Sequence, residues 1–155
     1  MISQVFTLQH ANKMLPLVKS IIGDIKATWD KISNIRNRLF ELENDTSGRS
    51  TPADRQAVKD ELNGLIEVIN KYIGEIENLG CFVEEFKRGI VNFPSMFRGR
   101  KVFLCWQDGD KAIDHWHEID EAINERRPVM SGIYEEEVRS FPKGEEIGGR
   151  VDMEM

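Results

Sequence analysis

Two thirds of the way along this 155-residue chain stand the residues best equipped for chemistry: Cys105 and Trp106, then Asp114-His115-Trp116-His117-Glu118. Thiolate, imidazole and carboxylate are the ligand types that a borderline metal such as zinc takes together. Cys105, His117, His115 and Glu118 are therefore candidate metal ligands, with Asp114 or Glu121 as further carboxylates and zinc or another transition metal as the ion. Their spacing fits no standard zinc motif. On a strand, His115 and His117 would point to one face and could share an ion; on a helix, Asp114, His117 and Glu121 would line up instead. The same pair also offers chemistry without a metal, Cys105 as nucleophile and His117 as the base that generates the thiolate. No glycine-flanked nucleophile or evident oxyanion donor accompanies it. The plainer reading is that Cys105 and Trp116 are core residues and His117 makes a buried hydrogen bond, since a free cysteine is commonly buried and inert. In every version Trp106 and Trp116 flank a turn at residues 108–110, and their packing is expected to bring Cys105 and His117 together.

A second candidate is the run from Phe86 to Phe103, where Lys87, Arg88, Arg98, Arg100 and Lys101 alternate with Phe93, Phe97 and Phe103. Short strands presenting aromatic rings beside cations can stack and neutralise single-stranded RNA. The competing account is that the rings face the protein interior and the cations guard strand edges, so a nucleic-acid partner is not favoured. The net charge is −6, and the basic excess is confined to residues 81–106, while residues 107–155 are strongly acidic. Gly89, Gly99 and Gly109 are spread too evenly to cradle a phosphate.

The elements that must position these residues begin with a long seam. Ala11, Met14, Val18, Ile21, Ile25, Ile32, Ile35, Leu39 and Leu42 recur at steps of three and four, interrupted only by Thr28. Thr7 is placed to cap this helix and Phe6 to staple it to Ala11, so the helix is expected to start near Leu8, with a kink near Pro16. Asp45, Ser47, Gly48 and Ser50 break the pattern. Thr51, Pro52 and Asp54 restart it, and a second seam runs through Val58, Leu62, Leu65, Ile69, Tyr72, Ile76 and Leu79 to Gly80 as C-cap. Helices joined by so short a loop must run antiparallel, giving a coiled-coil-like helical hairpin over residues 8–80 whose longer first helix overhangs the second.

From Cys81 the helical period gives way to short runs rich in aromatic and β-branched residues, Cys81 to Phe86, Gly89 to Phe93 and Lys101 to Trp106. They read as strands, with turns at Phe93-Pro94 and Arg98-Gly99-Arg100. Residues 111–124 fit both periods and are expected to form a short C-terminal helix. The fold class is α+β, mainly α: one domain over residues 1–130, with the hairpin at 8–80 and a strand-rich cap at 81–130, followed by an acidic, largely irregular tail at 131–155. No signal peptide or membrane-spanning run is present, and two cysteines make no disulfide framework, so a cytoplasmic location and no membrane partner are expected.

Phe6-Thr7-Leu8, Ala11-Asn12, Leu15-Pro16-Leu17-Val18, Gly89-Ile90-Val91-Asn92-Phe93-Pro94, Leu104-Cys105-Trp106, Trp116-His117 and Arg127-Pro128 occur in this order. Together they resemble the bacterial family catalogued as domain of unknown function 2203, over roughly residues 5 to 130. The resemblance supports the fold unit and brings no activity with it. Two positions depart from the family pattern, Asn92 where an aspartate is usual and His10 where an acidic residue is usual. An isolated two-helix hairpin leaves its seam poorly covered, so the expected role is a non-enzymatic, self-associating module, a homodimer through the hairpin, with metal binding and RNA binding as alternatives.

Overall fold

The computed structural model describes residues 5–129, and the expected acidic tail at 131–155 lies outside the described residues. Helix α1 spans Leu8–Glu43 and helix α2 spans Pro52–Asn78. The Thr7 hydroxyl accepts the His10 N–H at 3.0 Å, the expected cap. Pro16 lies inside α1 without ending it. At the start of α2 the capping box closes in both directions: Thr51 accepts from the Asp54 N–H at 3.1 Å, and Asp54 accepts from the Thr51 N–H at 3.0 Å. The helices pack against each other as an antiparallel pair, with Arg38 on α1 bridged to Glu61 on α2 at 3.1 Å.

After α2 the chain folds into a five-stranded antiparallel sheet whose spatial order is its sequence order: β1 (Phe82–Glu85), β2 (Ile90–Phe97), β3 (Arg100–Gln107), β4 (His115–Glu118) and β5 (Arg127–Pro128). The short helix expected within residues 111–124 is not formed. His115–Glu118 is a strand paired with β3 on one side and β5 on the other, and Ile123–Glu125 forms a single 3-10 turn. With neighbours on both sides to take its backbone groups, the alternating pattern of Ile113, His115 and His117 prevails over the helical one. The turn expected at Phe93-Pro94 is corrected as well, since Pro94 lies within β2, opposite Phe103. It is tolerated there because β1 pairs with β2 only at Ile90, Val91 and Asn92, so the missing donor disrupts no ladder on that side. The Pro94 carbonyl instead accepts the Phe6 N–H at 2.8 Å, and the Ser95 hydroxyl donates to the Phe6 carbonyl at 2.6 Å. The turn at Arg98-Gly99 holds, and both residues have positive φ, 51° and 77°, as a two-residue hairpin loop with the native strand twist demands.

One face of the sheet packs on the first half of α1. Val91, Phe93, Val102, Leu104, Trp106 and Trp116 join Phe6, Leu15, Val18, Ile22 and Ile25 in a single buried apolar cluster. The overhang of α1 is thus covered by the strands, as the helix lengths imply. Asn12 fastens the two layers: its amide nitrogen donates to the Ile113 carbonyl at 3.0 Å and its oxygen accepts the Ile113 N–H at 2.8 Å. Gly89 lets the β1–β2 turn approach α1, because a Cβ there would stand 2.7 Å from the Asp108 Cβ and 3.2 Å from Ile22.

Candidate functional site

The other face of the sheet carries a buried polar cluster. In the strand register, Asn92 is opposite Cys105, and Cys105 is opposite His115, two residues before His117, so Asn92, Cys105 and His117 lie on the face turned away from α1. Cys105 and His117 are both fully buried, at 0% exposure. A fourth member comes from β1. Val83 pairs with Val91 and Glu85 with Ile90, which leaves Glu84 as the extra residue of a β-bulge. Its carboxylate accepts from the Asn92 amide at 2.7 Å and lies 3.5 Å from His117 Nε2.

The hydrogen bonds define the charge state of His117. Nδ1 lies 2.7 Å from the Glu118 carbonyl, which can only accept, so Nδ1 carries a proton. Nε2 lies 3.2 Å from Asn92 Oδ1, and the Asn92 nitrogen is already committed to Glu84, so Nε2 also faces acceptors. The ring is an imidazolium. Burial works against this charge. Hydrogen bonding, to Cys105, Glu84 and the Glu118 carbonyl, outweighs it and raises the pKa to about 10. The Glu84 carboxyl is correspondingly held below its ordinary range, first by the bond from His117, against the cost of burial, and further by Asn92 and the Ile123 backbone N–H. Among the described residues no buried side-chain nitrogen or oxygen lacks a hydrogen-bond partner.

Of the candidate metal ligands, Cys105, His115 and His117 share one face of the sheet, while Glu118 and Glu121 are held by arginines elsewhere. His115 Nδ1 lies 2.6 Å from Asp114 at the half-buried edge of β4. Glu118 alternates to the opposite face, where Arg100 grips it with bonds of 2.9 and 2.6 Å. Glu121 is held by Arg127 at 2.9 and 2.8 Å. Among the described residues no three His, Cys, Asp or Glu side chains are grouped to hold a metal ion. The carboxylate beside the Cys-His pair is Glu84, which lies in the first of the expected strands but was not among the candidate site residues. Its bulge leaves no local signal there, whereas Asn92, a polar residue inside an apolar strand, did offer one.

The basic run is divided by the hairpin that contains it. Lys87 and Arg88 sit in the turn before β2, and Arg98, Arg100 and Lys101 stand beyond its other end, about 25 Å away across an eight-residue strand. Lys87 lies over the Trp29 ring at 4.9 Å, and Arg88 bridges to Glu85 at 3.3 Å. Arg98 lies 5.0 Å from the Phe97 ring. Arg100 is near both Phe97 and Trp116, and Arg127 reaches Trp116 at 4.9 Å, so a cation from outside the run completes this end. Lys101 is half-buried in β3.

No curated protein and no solved structure matches this chain. A family model does match residues 4–129, the whole of the described unit. The motifs from Phe6 to Pro128 thus hold together as one unit, and the chain belongs to the family of uncharacterized conserved proteins described as DUF2203.

Proposed function

We propose that the protein is a non-enzymatic interaction module that self-associates through the outer half of its coiled-coil-like hairpin. The observation that supports this reading is the change in coverage along α1. Ile32 is the last buried residue of the helix, and the seam residues beyond it, Ile35, Leu39 and Leu42, are only half-buried, as are Leu62 and Leu65 on α2. Phe40 is 68% exposed and Ile66 is 40% exposed on this same arm. A hairpin of a second copy, laid alongside in an antiparallel four-helix arrangement, would cover this seam with side chains of the same pattern. Both cysteines are free, in keeping with a reducing, cytoplasmic setting.

Sedimentation tests the reading. The unmodified protein is expected to be a dimer at micromolar concentration, and Phe40→Asp, at a position too exposed to affect the fold, is expected to convert it to a folded monomer. A stable monomer before mutation would sink the proposal.

A further inference from the structure

The open side of the hairpin arm has a definite direction. Phe40 follows Ile22 by about five whole turns of helix, so it points the way Ile22 does, toward the β1–β2 turn, where a Cβ on Gly89 would stand 3.2 Å from Ile22. The Arg38–Glu61 bridge marks one flank of the seam. Phe40, two residues from Arg38, and Ile66, five from Glu61, lie about 200° and 140° around their helices from that bridge, which puts both on the other flank. The sheet stands on this same flank and meets α1 as far along as Trp29, whose ring lies 5.0 Å from that of Phe86 and 4.9 Å from the Lys87 ammonium. From Trp29 to Glu43 the helix runs on for about 21 Å, and here the row continues through half-buried Ser33 to exposed Arg36 and Phe40. Sheet and arm thus make a notch, with the β1–β2 turn as its end wall.

The notch decides how a second copy can approach. Two arms laid on this flank in parallel would bring sheet against sheet and hold the helices apart. Turned antiparallel, each arm fits the notch beside the other's sheet, and its tip reaches the partner's β1–β2 turn. The charges match this approach. Helix α1 ends on Glu41 and Glu43 with no basic residue in its last turn, so two carboxylates stand at the negative end of the helix dipole. The β1–β2 turn presents Lys87, which is exposed and makes no ion pair among the described residues. Resting on the self-association proposed above, we propose that the interface is the sheet-side flank of the arm and its occupant the same flank of a second, antiparallel copy. Glu43 of each copy then pairs with the partner's Lys87, and each Phe40 comes level with the partner's Ile66. The result is an apolar strip closed at both ends by opposite charges.

Within one copy Lys87, beside Trp29, is about 21 Å along the arm from Glu43, so a direct amide between the two side chains must join two copies. A mixture of isotope-labelled and unlabelled full-length protein is treated with a carbodiimide at low salt, and the linked peptides are read by mass spectrometry. Linkage of Lys87 to Glu43 or Glu41 is expected in mixed-isotope pairs. In sedimentation, Lys87→Glu and Glu43→Lys, both at exposed positions, are each expected to weaken the dimer about tenfold, and the double variant, which exchanges the charges, to restore it. A dimer without the linkage, or one whose single variants the double variant does not rescue, overturns this register and leaves self-association standing. An unmodified protein that is a monomer overturns both.

Discussion

Leu104 and Cys105 are neighbours in β3 and both are completely buried, yet they look into different interiors. Leu104 faces α1 and a continuous apolar cluster that runs from Phe6 to Trp116. Cys105 faces His117, Asn92 and Glu84 under a short segment that adds only Ile123 to its burial. The inner face is held by area removed from water, which varies little with conditions. The outer face is held by charge and hydrogen bonding, whose strength depends on protonation. Equal burial in one strand therefore gives unequal sensitivity, and the outer face is where solution conditions can act on this fold.

The largest effect is expected on the inner face. Leu104→Ala should lower stability by about 2–5 kcal/mol in urea unfolding, through lost transfer free energy and the cavity left behind, with little dependence on pH. A cost below about 1 kcal/mol would break the comparison, because the inner face would then not be the close-packed one.

His117→Gln should cost about 2–3 kcal/mol near pH 6 by leaving Glu84 without its ion partner. The cost should shrink as pH rises. His117 has a folded pKa of about 10 against an ordinary value of 6.5, so its contribution is fully present below 6.5 and is lost as pH climbs through 10. Glu84 bounds the other side: its depressed carboxyl contributes above its ordinary value of 4.5, and that contribution fades as pH falls through the folded value. Unfolding curves for both proteins at pH 6, 8 and 10 read the difference directly. A cost that does not change across that range would remove the imidazolium from the account.

Asn12→Ala sharpens the contrast, since Asn12 is polar and half-buried against a loop but carries no charge. Loss of its two bonds to Ile113 should cost about 1–2 kcal/mol, and this cost should stay flat over the pH range in which that of His117→Gln declines. The smallest effect has the opposite sign. Arg98 holds φ of 51° at the β2–β3 turn, a conformation that asparagine adopts more readily, so Arg98→Asn should raise stability by about 0.5 kcal/mol with neither face disturbed. Thermal unfolding of this variant gives a baseline for the other three.

Local pattern was sufficient for much of this molecule. The seam from Ala11 to Leu42, the Thr7 and Thr51 caps, the antiparallel hairpin and the turn at Arg98-Gly99 all depend on residues within a few positions of one another, so the amino-acid sequence by itself determined them. The tertiary structure decided what no window of sequence contains. Residues 115–118 became a strand because β3 and β5 offered their backbone groups on both sides. Pro94 entered β2 because β1 stopped short of it. Glu84 reached His117 because one unpaired residue in β1 turned a carboxylate toward a strand more than thirty positions away. Helical periods and caps are encoded by spacing along the chain, whereas a strand's partners, its bulges and the charges facing it across a sheet are chosen only when distant segments meet.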